Sequence, residues 1–230
     1  MATSSDTTFD GSALQIVSDA LAMVGAIGPG KSATGPKFDH GLRLLNDVVK
    51  AIDADGSFLW RQARRTFTTT DGTAAYTTAA DVLSVGKVLN YKRSASSSRT
   101  PIRVISREDF MQIADRTTEG VPSFAFVEQT LPTTVTVTFW QIPDATGDSI
   151  EYEAMLRAQD YDTGAQTGDF PARWVLGLKY GLGSELALAY GGQVVLSSSL
   201  RRMFLDEKER QLNASGEKGS FRMVPWGGAY

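Results

Sequence analysis

Three features of this 230-residue chain predict an α+β fold. Apolar residues recur at helical spacing near both ends, and the stretch between Trp60 and Arg157 alternates with the two-residue period of strands. Between Asp160 and Tyr190, a run of acidic and turn residues leads through Asp169-Phe170-Pro171 into an aliphatic helix with a marked start. Proline loses no hydrogen bond in a first helical turn, and a nearby aspartate complements the open amides there.

Taken in order, Leu14, Val17, Leu21 and Val24 fall at i, i+3, i+7 and i+10, which predicts an amphipathic helix from about Ser12 to Val24. After a loop from Gly25 to Pro36, Leu42, Leu45, Val49 and Ile52 predict a second helix that stops at Asp55-Gly56, where glycine suits a left-handed cap. The two are expected to form a hairpin. Strands are expected over 66–70, 75–78, 82–91, 102–105, 123–127, 133–140 and 149–156. The clearest is Val135-Thr136-Val137-Thr138-Phe139, whose alternation buries one face. Ser106-Arg107-Glu108-Asp109 before Phe110 reads as the start of a short helix among the strands.

In the glycine-marked helix, Trp174, Leu178, Leu182, Leu186 and Tyr190 share one stripe. Gly177, Gly181 and Gly183 leave parts of its surface nearly bare. Each interior glycine costs about 1 kcal/mol against alanine, so three together suggest that a close backbone approach offsets the loss. This helix is read as a packing helix in an assembly. Past Gly191-Gly192, Leu196, Leu200 and Phe204 predict a last helix, with Asp206 and Arg210 placed to pair on its wet side. Residues 216–230 show no period and carry Phe221, Trp226 and Tyr230, as a tail that orders on a partner would.

Composition narrows the function classes. Hydrophobic residues make up 42%, ample for a core, while a net charge of −3 lacks the basic face that tight nucleic-acid binding needs. The absence of cysteine removes disulfides, thiol nucleophiles and thiolate metal sites, and a single histidine, His40, removes nearly all imidazole chemistry. No metal or cofactor is expected. Met1 to Asp10 is polar and acidic rather than signal-like, and the apolar run Leu186 to Leu200 is too short to span a bilayer, so synthesis in the cytoplasm and no membrane span are expected.

Several motifs invite chemistry. Gly25-Ala26-Ile27-Gly28-Pro29-Gly30-Lys31-Ser32 satisfies G-x-x-x-x-G-K-[ST], whose backbone amides can cradle phosphates. The mechanism requires a strand before the loop and a helix opening at Lys-Ser, whereas helical spacing precedes it, Pro29 removes an amide, and Gly35-Pro36 is expected to break a following helix. Asp160, Asp162 and Asp169 fit no defined cation loop and read as an acidic turn. The neighbours Glu108 and Asp109 read as helix-start acids. Arg61, Arg64 and Arg65 beside Trp60 form a short cationic cluster, read as strand-edge charges or partners for acidic groups of a neighbouring subunit.

In this order the signals resemble the head-to-tail adaptor proteins of short-tailed bacteriophages, the tail tubular protein A group. The resemblance runs from Ser12 to Leu212. It rests on Leu45-Asn46, the Gly56-to-Trp60 turn, Arg64 to Phe67, Tyr76, Asp81 to Val85, Ile105 to Phe110, Gly120 to Phe124, Trp140 to Asp144, Asp169-Phe170-Pro171 with Trp174, Leu186-Ala187 and Tyr190-Gly191. Two departures stand out: no proline precedes Asp81, and the 216–230 tail has no clear counterpart.

The resemblance implies a discontinuous helical domain built from residues 12–58 and 169–214, a β-rich domain over 60–158, and a tail at 216–230 that orders on the portal. It implies a non-enzymatic virion protein, assembled in the host cytoplasm as a ring of twelve between the portal protein and a tail nozzle protein. Genomic DNA would pass through its lumen without specific binding, and whether tail fibres attach is left open by the resemblance. Trp174, Gly177, Gly181, Leu186, Tyr190, Phe221, Trp226 and Tyr230 become the expected subunit and portal interface. The rival readings are an enzyme, either a nucleotide binder through residues 25–32 or a cell-wall hydrolase through paired carboxylates, and a ligand-binding β module around Trp140.

Overall fold

The computed structural model describes residues 11–54, 59–130 and 134–215. The fold is mixed α+β and divides into two compact units, Met1–Ala54 with Gln159–Tyr230, and Asp55–Ala158.

In the first unit, α1 (Ala13–Met23) opens with a reciprocal cap: the Gln15 amide donates to the Ser12 hydroxyl at 3.3 Å and the Ser12 amide to the Gln15 side chain at 3.1 Å. Helix α2 (Gly35–Ala54) starts earlier than its apolar spacing predicts. Gly35-Pro36 initiates it rather than breaking it. Gly35 takes φ +56°, a backbone open to glycine, and Pro36 then occupies a first-turn position where its missing N–H costs nothing. Val17 of α1 packs on Gly41 of α2 so closely that a Cβ there would lie 2.5 Å from a valine methyl.

A 3₁₀ turn at Ala172–Trp174 leads into α4 (Val175–Ala189), and α5 (Val194–Ser215) follows the Gly191-Gly192 corner; the label α3 belongs to a helix of the other unit, Arg107–Met111. Helix α4 is the hub, packed against α1, α2 and α5. Its Leu178, Leu182 and Leu186 are completely buried alongside Trp174. The side chain of Asn46 on α2 donates to the Tyr161 carbonyl at 3.0 Å and accepts from the Tyr161 amide at 2.9 Å, fastening the returning chain to the bundle.

The second unit is a curled seven-stranded sheet. Its strands are β1 (Gln62–Thr68), β2 (Ala75–Thr77), β3 (Val82–Lys92), β4 (Thr100–Val104), β6 (Phe124–Thr130), β7 (Thr134–Trp140) and β9 (Ser149–Leu156), in the order β1-β9-β3-β4-β6-β7-β2. The short strands β5 (Glu119–Gly120) and β8 (Ile142–Pro143) pair separately. All neighbours in the large sheet are antiparallel except β4 and β6. The alternation in β7 sends Val135, Val137 and Phe139 into the core, beside Ile150, Tyr152 and Ala154 of β9. Although β1 and β2 end the strand order, Phe67 of β1 lies 5.7 Å ring to ring from Tyr76 of β2 and 6.3 Å from Phe139. The sheet therefore curls until its ends meet through aromatic side chains.

Candidate functional site

The residues expected at a subunit interface fall into two groups. Trp174 and Leu186 have no exposed surface, and Gly177 and Gly181 are buried. The glycines meet helices of their own chain. A Cβ at Gly181 would stand 2.9 Å from Val48 of α2 and 3.2 Å from the Phe204 ring of α5, one at Gly183 would stand 3.2 Å from Leu200, and one at Gly177 would touch Glu207. The close approach inferred from bare helix surface is real, but it serves the internal packing of one subunit. In the folded subunit these four positions are packed against the chain's own helices. Tyr190 is half-buried, with its hydroxyl 3.3 Å from Nδ1 of His40. Phe221, Trp226 and Tyr230 lie outside the described residues.

What the helical unit does expose is the corner between α4 and α5 and the outer side of α5. Leu188, Val194 and Val195 are 51%, 67% and 80% exposed, and Met203 and Leu205 are each 49% exposed. Val194 and Val195 sit out of phase with Leu196, Leu200 and Phe204. That offset turns the pair away from the buried stripe of α5. A groove of ≈190 Å³ between α2, α4 and α5 is floored by Gly181 and lined by Leu44, Val48, Ala51 and Phe204, with Asp47, Glu185 and Arg201 at its rim. Arg201 and Glu185 are 3.6 Å apart and solvent-exposed, a pair worth well under 1 kcal/mol. The expected pairing of Asp206 with Arg210 gives way to Arg210 with Glu207 at 2.6 Å, because Glu207 turns inward and also accepts from the Gln211 amide group at 2.6 Å.

On the β unit, a polar groove of ≈370 Å³ is lined by Arg64, Asn90, Arg99, Glu151, Tyr152 and Glu153. Arg99 grips Glu151 with two 3.0 Å hydrogen bonds, which hold that carboxyl below its usual range. Of the cationic cluster, Arg61 is buried, Arg65 pairs with Asp81 at 2.7 Å, and Arg64 stands opposite Glu153 in the register of β1 and β9. Trp140 is half-buried, stacked on Phe124, and donates from its indole to the Asp115 carbonyl at 2.7 Å. It supports the fold and is not laid open as a ligand platform.

In the β unit Asp148 is a strongly engaged buried acid, 3% exposed. It accepts from the Tyr91 hydroxyl and, at 2.7 Å, from the Ser94 amide. Burial pushes its carboxyl up, but the Tyr91 and Ser94 hydrogen bonds outweigh burial and hold it below the usual range. Burial first, and then the bond to Asp148, pushes the Tyr91 hydroxyl up to about 12. With Thr69 bonded to Asp148 through both backbone and hydroxyl and to the Ala145 carbonyl through its hydroxyl, this cluster ties the ends of β1, β3 and β9 together.

None of the motifs forms a reactive site. Residues 25–32 connect α1 to α2, with a helix where a phosphate loop requires a strand. Asp160 pairs with Lys50 at 2.7 Å, and the Asp162 amide donates to Gln166. Asp109 lies beside its own helix cap, Ser106, at 2.8 Å. Among the described residues no cluster of three histidines or carboxylates is arranged to hold a metal ion, and no helix is long and apolar enough to cross a membrane.

Two comparisons bear on this arrangement. No curated protein matches the chain. A family model described as "SU10 adaptor protein" matches residues 14–224, which takes in the described helices, but for Ala13 at the start of α1, and the entire sheet.

Proposed function

Since the chain belongs to the SU10 adaptor protein family, a family of structural adaptors in bacteriophage particles, we propose that it is the ring that joins the portal to the tail nozzle. The observation that carries this reading is the extent of the match, residues 14–224, which leaves little of the chain for any other task. In this reading the chain is a structural component of the virion without an enzymatic role. Twelve copies surround the DNA channel, as in the tail tubular protein A group that the sequence resembles.

The exposed apolar corner of Leu188, Val194 and Val195 supports lateral contact between copies, because protein surfaces rarely leave such residues clustered without a partner. The mildly acidic composition supports passage of DNA, since a lumen that held phosphates tightly would stall the genome. The 216–230 tail, with Phe221, Trp226 and Tyr230, clasps the portal.

Purified portal rings are expected to capture the protein, and native mass spectrometry of the complex is expected to count twelve copies per ring. A failure of capture, or a different count, argues against the reading. Deleting residues 216–230 is expected to lower portal capture at least tenfold while leaving the thermal midpoint in place. Unchanged capture would remove the clasping role from the tail.

A further inference from the structure

The sheet of the β unit has one long edge whose backbone pairs with no other strand among the described residues, although the Phe67 side chain reaches Tyr76 of β2. β2, at the far end of the order, is three residues long, whereas β1 is seven. Opposite strands of an antiparallel pair alternate between positions whose backbone groups face the partner and positions whose groups face away. The Thr69 amide donates to the Asp148 carbonyl at 2.8 Å, so the backbone groups of Phe67, Arg65 and Ala63 turn to β9. Those of Gln62, Arg64, Thr66 and Thr68 turn out, and all four residues are exposed. Among the described residues nothing donates to or accepts from these outward groups. Such an edge is a template for an added strand.

Charge indicates what would add there. β1 carries Arg64 and Arg65 and no carboxylate. Residues 1–10, Met-Ala-Thr-Ser-Ser-Asp-Thr-Thr-Phe-Asp, carry two aspartates, no lysine or arginine, and three threonines and a phenylalanine of strand-forming type. Ten extended residues reach about 33 Å, more than the roughly 23 Å length of β1. We propose that the open edge of β1 takes up residues 1–10 of a neighbouring copy of this chain as an added strand. Because Arg65 already holds Asp81 and Arg64 faces Glu153, the arginines select the acidic segment and its register, while backbone hydrogen bonds hold it. The inference rests on copies standing side by side, and is independent of what their assembly joins.

The natural chain has no cysteine, so a linkage experiment is clean. One preparation carries Thr66→Cys and another carries Thr7→Cys or Thr8→Cys. They are mixed, as purified protein at high concentration and as assembled particles, and oxidised gently. A disulfide-linked dimer of the two variants is expected, and Arg64→Pro is expected to reduce it at least tenfold. That substitution removes an outward amide without touching the ladder to β9. Arg64→Ala, which keeps the amide, is expected to reduce it less. Thr68→Pro provides the same test if Arg64→Pro lowers the thermal midpoint. Absence of the mixed dimer in both preparations overturns the proposal. So does a dimer indifferent to either proline, or a doubly substituted chain that links only to itself. Portal capture is scored separately, so a failed linkage with intact capture condemns the strand addition alone.

Discussion

Trp174→Ala is expected to destabilise the helical unit by about 4 kcal/mol, the upper range for emptying a large aromatic site. Among the described residues Trp174 is the largest side chain with no exposed surface, and it stands where the 3₁₀ turn passes into α4. Its ring lies 6.1 Å from that of Phe170. Truncation opens a void at the helix that touches α1, α2 and α5 together, and no single neighbour can collapse into it without leaving another contact. Trp174→Phe, which keeps most of the volume, is expected to cost less than half as much. Urea unfolding followed by far-ultraviolet circular dichroism checks both. An alanine variant with an unshifted midpoint would show that this side chain does not organise the bundle.

How far the bundle could be read from sequence is clear at α4. The stripe Trp174, Leu178, Leu182 and Leu186 was legible because burial on one helix face follows from spacing alone. The glycines revealed that something approaches closely, but not what. Whether the facing backbone belongs to the same chain or to another copy depends on tertiary arrangement, and at Gly181 the partners are Val48 and Phe204 of the same chain. Gly35-Pro36 shows a local ambiguity. The same dipeptide ends one helix or starts the next according to which side the apolar period lies on, and here α2 runs from Gly35. Glu207 shows the limit of pairing by spacing: Asp206 and Glu207 lie four and three residues before Arg210, both spacings allow a pair on a helix, and the inward turn of Glu207 decides between them.

In the sheet, local alternation marked nearly every strand, yet the order β1-β9-β3-β4-β6-β7-β2 is set by non-local pairs such as β1 with β9, which no local pattern encodes. The surfaces available for assembly follow the same division. Buried stripes could be read directly, whereas the exposed Val194 and Val195, and the open edge of β1, emerge only once the partners of every other face are known.

The second large effect concerns Asp148. Asp148→Ala is expected to cost the β unit about 3 kcal/mol, because it strips the acceptor from both the Tyr91 hydroxyl and the Ser94 amide in a site only 3% exposed. Tyr91→Phe removes one donor and leaves the Ser94 bond, so about 1 kcal/mol is expected. The sign of the pH dependence separates the two groups. The folded carboxyl titrates below its ordinary value, so its contribution is present above the unfolded value near 4 and is lost as pH falls through the folded one. The Tyr91 hydroxyl titrates above its ordinary value, so its contribution is full below about 10 and is lost as pH rises towards about 12. Natural protein should therefore lose β-unit stability at both extremes, with Asp148→Asn flattening the acid limb and Tyr91→Phe flattening the alkaline one. Denaturant midpoints between pH 3 and pH 11 measure this, and an Asp148→Asn variant with an unchanged acid limb would mean that the carboxylate is not what closes these strand ends.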